Sequence, residues 1–237
     1  MERNFLSVDW DYFINVHNEK SNSYRETQQD ILAKWYNEWI IGRENGDPLE
    51  RHYELGGILE SFKEECLPKL KFEKHASLVL TESHADGYEE VCSNNCDTVY
   101  LLDAHSDLGY GGLEALEYEV NCANWLGKLL KEHKIKKAYI IYSPYTKEYI
   151  EEFEEIIEKY EVEFITLEEF ISRGVVFSEV QLCRSGPWTP PWYDHAFYQL
   201  AKSFSLSTRN QMGGKRSWHP KHLCLAERIN YKLGIVG

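Results

Sequence analysis

The chain lacks what several large classes of protein require. It has six cysteines, at positions 66, 92, 96, 122, 183 and 224, and no CxxC pair among them. Cys92 and Cys96 stand four apart, with no second pair to accompany them. Neither a thiolate zinc site nor a disulfide framework is expected, and the thiols read as reduced and buried in a cytoplasmic protein. No apolar run reaches the roughly 18 residues of a membrane span, and the first residues hold no long apolar stretch, so no secretory signal is expected. Basic residues are the minority, 26 Lys and Arg against 39 Asp and Glu, giving a net charge of -13. That balance argues against a nucleic-acid partner, because phosphate binding needs a basic footprint. There is no internal repeat, no low-complexity segment and no linker-like shift in composition, so residues 1–237 read as a single domain.

What is present is a sequence of short apolar runs alternating with helical patterns. Strands are expected at 5–8, 77–80, 98–102, 137–142, 162–165 and 179–183. Helices are expected at 24–41, 54–65 (stopped by Pro68), 121–133, 147–160, 167–172, 193–204 and 222–233. The polar stretch 205–218, with Gly213-Gly214 and Lys215-Arg216, reads as a loop. The apolar runs are mostly continuous rather than alternating, as expected for strands covered on both faces. The fold class is therefore α/β, a three-layer αβα sandwich with a mostly parallel sheet.

In such sheets, ligands bind beyond the carboxyl ends of the strands. Three of the expected strands end in ionisable side chains. FLSVDWD carries Asp9 and Asp11, LVLTESHAD carries His84, and YLLDAHSD carries Asp103, His105 and Asp107. If the backbone stays extended, residues two apart share a side, so Asp103, His105 and Asp107 converge, as do Asp9 and Asp11. Six such groups crowded at one sheet edge need a counter-charge. Two divalent cations about 3.5–4 Å apart would supply it. Four carboxylates and two imidazoles suit Mn²⁺ better than a thiolate-rich set would.

At these residues the chain resembles the arginase–deacetylase superfamily. DAHSD is similar to the arginase DAHxD metal motif, VDWD to its DxD motif, and SHAD to the segment of the lone upstream histidine. NCANWLGKLLKEH resembles the loop and helix that follow DAHxD. The chain departs from arginases in four respects. DxD opens the chain instead of closing the domain, and it is not followed by xxDP. A Gly-Gly-Asp-His signature is missing around His84. Cys122 and Asn124 stand where arginases place a histidine that aids proton transfer, leaving Asn124 as the catalytic candidate. These departures resemble the peptide arginases of ribosomal peptide pathways, which convert arginine in a precursor peptide to ornithine.

The resemblance implies two Mn²⁺ ions. Asp103 and Asp9 would bridge them, with His84 and Asp107 completing one ion and His105 and Asp11 the other. The implied chemistry is attack of an activated water on the guanidinium carbon, giving ornithine and urea. A carboxylate must hold the substrate's guanidinium. Asp194 in WTPPWYDHAF is the candidate, with Trp192 as a pocket wall. An arginine-containing precursor peptide, drawn by the acidic charge and the aromatic content of 14%, is the expected partner. The alternatives are a mononuclear zinc amidohydrolase of the deacetylase kind and a non-catalytic, metal-stabilised peptide-binding module. A haloacid-dehalogenase-type phosphatase would also use VDWD, but it wants a small residue where Tyr12 and Phe13 stand and leaves DAHSD without a role.

Overall fold

The computed structural model describes residues 2–17 and 28–234. Its centre is a parallel sheet. Seven strands run in the order β10 (Ser207–Asn210), β5 (Ser77–Thr81), β9 (Val176–Cys183), β1 (Asn4–Asp9), β6 (Thr98–Asp103), β7 (Lys137–Tyr142) and β8 (Val162–Phe164). A two-residue strand, β4 (Lys71–Phe72), lies beside the start of β9. Every pairing in this sheet is parallel, and both faces are covered, which accounts for the unbroken apolar runs. Phe5, Val99, Leu101 and Ile140 face one core cluster with Trp125, Leu126 and Leu129 of α4 (Trp125–Lys131). The same cluster takes in Val91 of α3 (Asp86–Ser93) and Ile156 of α5 (Glu154–Lys159). Leu6, Val8 and Leu102 face the opposite cluster, built with Trp35 of α1 (Gln28–Glu44), Phe170 of α6 (Leu167–Ser172) and Phe197 of α7 (Asp194–Ser203). The result is the expected three-layer αβα sandwich. α8 (Leu225–Leu233) lies outside the second layer against α1, where Tyr231 stacks on Tyr36 at 4.7 Å.

Several boundaries differ from the sequence reading, each for a local reason. The helix expected at 54–65 is split. Tyr53–Leu55 forms β3, paired antiparallel with β2 (Ile14–Val16), and only Ile58–Ser61 is regular helix (α2) before a widened turn at Phe62–Cys66 and a tight one at Leu67–Lys69. Gly56 marks the break; a Cβ there would lie 2.2 Å from the Tyr145 hydroxyl. The helix expected at 147–160 survives only as α5, after a tight turn at Ile150–Phe153. Its glutamates repel one another at three- and four-residue spacing. The segment 205–218 is not all loop, because β10 joins the sheet edge. Arg209 pins it there through Glu90 (2.7 Å) and Glu179 (2.8 Å). Helix α3, absent from the reading, follows His84 directly. The start expected for α1 at 24–27 lies outside the described residues. No described helix is long and apolar enough to cross a membrane.

The register decides where the strand ends fall. Thr81 and Asp9 both pair with Cys183, Val8 pairs with Leu102, and Asp103 pairs with Tyr142. Asp9 and Asp103 thus become neighbours at the carboxyl edge although 94 positions separate them in sequence.

Candidate metal centre

β1 and β6 each deliver one carboxylate at their last residue and further candidate ligands from the turn beyond, Asp11 after β1 and both His105 and Asp107 after β6. Phe5, Ser7 and Asp9 alternate onto one sheet face, as do Val99, Leu101 and Asp103, so the two aspartates point the same way. The later ligands do not arrive by extended alternation, as the sequence reading supposed. Asp11 sits in a tight helical turn, Trp10–Phe13, capped when Asp9 accepts from the Asp11 N–H at 3.0 Å. Asp107 has φ 53°, a left-handed conformation that Asp tolerates better than most residues, and the turn swings its carboxylate back into the site. Trp125 of α4 then holds it, the indole N–H donating to Oδ2 at 2.7 Å.

All six residues expected as metal ligands come together. His84 Nδ1 lies 2.8 Å from Asp107 Oδ2, 3.0 Å from Asp103 Oδ2 and 3.2 Å from Asp9 Oδ2. His105 Nδ1 lies 3.0 Å from Asp11 Oδ2 and 3.5 Å from Asp103 Oδ1. Two groups that could each hold a metal ion result, Asp9–His84–Asp103 and Asp11–Asp103–His105, and Asp103 belongs to both. His84 and the four aspartates are buried, whereas His105 is 34% exposed and looks into a cleft.

The carboxylates and imidazoles are close and buried enough to shift one another's titration. Burial, then Asp11 and Asp103, push the Asp9 carboxyl well above its ordinary range. Burial, then Asp11 and Asp107, lift Asp103 to about 7. Burial also acts to raise Asp11, but the adjacent His105 imidazole holds it below its usual value. Burial opposes charge on both histidines, yet the carboxylates around them push His84 and His105 well above theirs. His84 Nδ1 and Asp103 Oδ2 are buried and make no hydrogen bond. Buried polar atoms are rarely left so, and two that face each other 3.0 Å apart fit a common cation between them. A donor set of carboxylates and imidazoles without thiolate fits a divalent cation.

The cleft above the ligands has a volume of about 270 Å³. Its walls include Trp188, whose ring centre is 6.3 Å from that of His105, together with Tyr53, Tyr145 and Lys34. It also holds a carboxylate that the sequence reading missed. Glu148 accepts from the Ser106 N–H at 2.8 Å, from the Tyr142 hydroxyl at 2.9 Å and from the Tyr110 hydroxyl, and burial raises its pKa. In the sequence it was one glutamate in an acidic stretch, and nothing local set it apart.

Three expected site residues lie elsewhere. Asp194 does not line the cleft, and its carboxylate is engaged by Arg184 at 3.3 Å and by Arg216 through both oxygens. That pairing, with Glu82 also on Arg184, is a buried network tying together the ends of β9, α7 and the segment around 216. Trp192 packs edge-on against Trp35 and Tyr53 and against Trp218, away from the cleft lining. Asn124 is buried beneath the loop before α4, donating to the Ala115 and Glu119 carbonyls and accepting from the Asn121 N–H. It shapes the loop, and its neighbours Cys122 and Ala123 are the residues that reach the cleft.

No protein-family model, curated protein or solved structure matches the chain.

Proposed function

We propose that this chain is a binuclear metallohydrolase that cleaves the guanidinium of arginine side chains to ornithine and urea, acting on arginine within a peptide. The observation that carries the reading is the carboxylate of Asp103, shared by two groups that could each hold a metal ion at one sheet edge beneath a cleft. A mononuclear zinc site would use one of the two groups and leave the side chains of the other without a metal role. A binding module has no need of a second ligand group opening on a cleft. Two divalent ions, when bound, supply activation of a water toward the guanidinium carbon at neutral pH.

The chain's own residues do the rest. Glu148 replaces Asp194 as the residue to pair with the guanidinium, since its carboxylate is fixed on three donors and faces the cleft. The Trp188 and Tyr145 rings offer flat faces of the kind on which a guanidinium stacks. A volume of about 270 Å³ suits one side chain, with peptide backbone lying across the rim. Lys34 and Lys147 in the cleft walls support a second reading, hydrolysis of an acidic substrate such as a phosphoester by the same two-ion centre.

The test is incubation of the Mn²⁺-loaded protein with arginine peptides, free arginine, agmatine and a general phosphoester. Urea release, with loss of the mass of cyanamide from the peptide, is expected. Phosphate release without urea supports the second reading, and no turnover of any of them by protein carrying two ions overturns both.

A further inference from the structure

We propose that three buried strand residues, Ser7, Gln181 and Thr81, form a hydrogen-bond relay that fixes His84 as a metal ligand through Nδ1 and thereby sets the affinity of the metal position that His84 shares with Asp9 and Asp103. The inference rests on the metallohydrolase reading and adds residues to it that carry no metal-ligand signal of their own.

The relay has a direction. Gln181 Nε2 can only donate, and it donates to Thr81 Oγ1 at 2.9 Å. Gln181 Oε1 can only accept, and it takes the hydroxyl proton of Ser7 at 2.9 Å. Ser7 has one proton to give, so at 2.7 Å from His84 Nε2 its oxygen must accept. His84 therefore carries hydrogen on Nε2, and Nδ1 is the nitrogen turned toward Asp9, Asp103 and Asp107. A donated second N–H of this kind is what orients a ligating imidazole.

A merely structural origin explains the placement poorly. Ser7, Gln181 and Thr81 are each fully buried on three neighbouring strands, β1, β9 and β5. Apolar residues would fill that space without the cost of stripping polar groups of water. Each of the three finds its partner in another member of the relay or in His84. The first turn of α3 also makes room for the amide. A Cβ at Gly87 would lie 2.6 Å from Gln181 Oε1, so the helix crosses at a glycine.

The test combines nitrogen NMR of histidine-labelled protein loaded with Zn²⁺, a diamagnetic substitute, with chelator-competition measurements of Mn²⁺ affinity. In the wild type, His84 is expected to show a protonated Nε2 and a metal-bound Nδ1. Ser7→Ala and Gln181→Leu should each weaken one of the two ions by about 10–100-fold and leave the other within a few fold. A loaded wild type with the metal on Nε2 overturns the relay and needs no variant to show it. Folded variants that keep both affinities overturn it as well. In either case, two ions bound to the wild type would leave the metallohydrolase reading standing. A wild type that binds no divalent ion overturns that reading and the relay with it.

Discussion

Replacing Asp103 with asparagine should invert the stability ranking of the two proteins according to whether metal is present. In the metal-free wild type, burial with Asp11 and Asp107 lifts this carboxyl from 3.8 to about 7, net of the two histidines that pull it down. A carboxyl raised by folding contributes stability that is complete below the unfolded value and is lost as pH rises through the folded one. The wild type therefore gives up stability between pH 3.8 and about 7. At about 1.36 kcal/mol per pH unit, that interval corresponds to about 4 kcal/mol as an upper limit. Asparagine has no such charge, and its side-chain oxygen can still accept from the His105 N–H, which lies 2.8 Å from Asp103 Oδ1.

Above about pH 7, in chelator, Asp103→Asn should therefore melt higher than wild type, by about 2–4 °C for each kcal/mol in a chain of this size. Adding Mn²⁺ at a thousand times its dissociation constant stabilises the wild type by about 4 kcal/mol per site, or about 8 kcal/mol for two. The variant, lacking the carboxylate common to both groups, should gain little and melt below wild type. Thermal denaturation of both proteins, with and without Mn²⁺, reads this directly. A variant less stable than wild type in chelator would show that the carboxylates are not frustrated. Equal metal-induced shifts in the two proteins would remove Asp103 from the centre.

Asp194→Ala should cost about 3–5 kcal/mol in urea unfolding, because Arg184 and Arg216 would be left buried beside a missing partner; a near-neutral change would show that this network does not hold the fold together. Glu148→Gln should lower kcat/KM on an arginine peptide by about 10–100-fold with both ions retained, and unchanged kinetics would take Glu148 out of the substrate site. Trp125→Phe removes the donor to Asp107 and should weaken Mn²⁺ about 10–100-fold, measured by chelator competition. Hydrolysis should rise with pH to a plateau above neutrality and be lost to a chelator and restored by Mn²⁺; activity that survives exhaustive chelation would rule out the proposed chemistry.

The αβα layering and the six candidate ligands were legible in the sequence by itself. Both follow from short-range rules: apolar strands covered on two faces show as unbroken runs, and ligands clustered just beyond strand ends show as DWD and DAHSD. His84 was the weakest of the six as sequence. What makes it a candidate ligand is the parallel register that places Ser7 beneath its Nε2 and three carboxylates before its Nδ1. Local conformation was misread where a turn replaced extension, since nothing in DAHSD announces that Asp107 adopts φ 53°. The candidates for the substrate side could be sorted only from the tertiary structure. Asp194 is claimed by Arg184 and Arg216 on separate segments, Trp192 by an aromatic cluster, and Asn124 by the carbonyls of its own loop. Glu148 is set apart only by the hydroxyls of Tyr110 and Tyr142 and the Ser106 N–H. A charge in a sequence has no partner; the partner is fixed by which strands and helices meet, and burial then makes leaving that charge unpaired too costly for any other role.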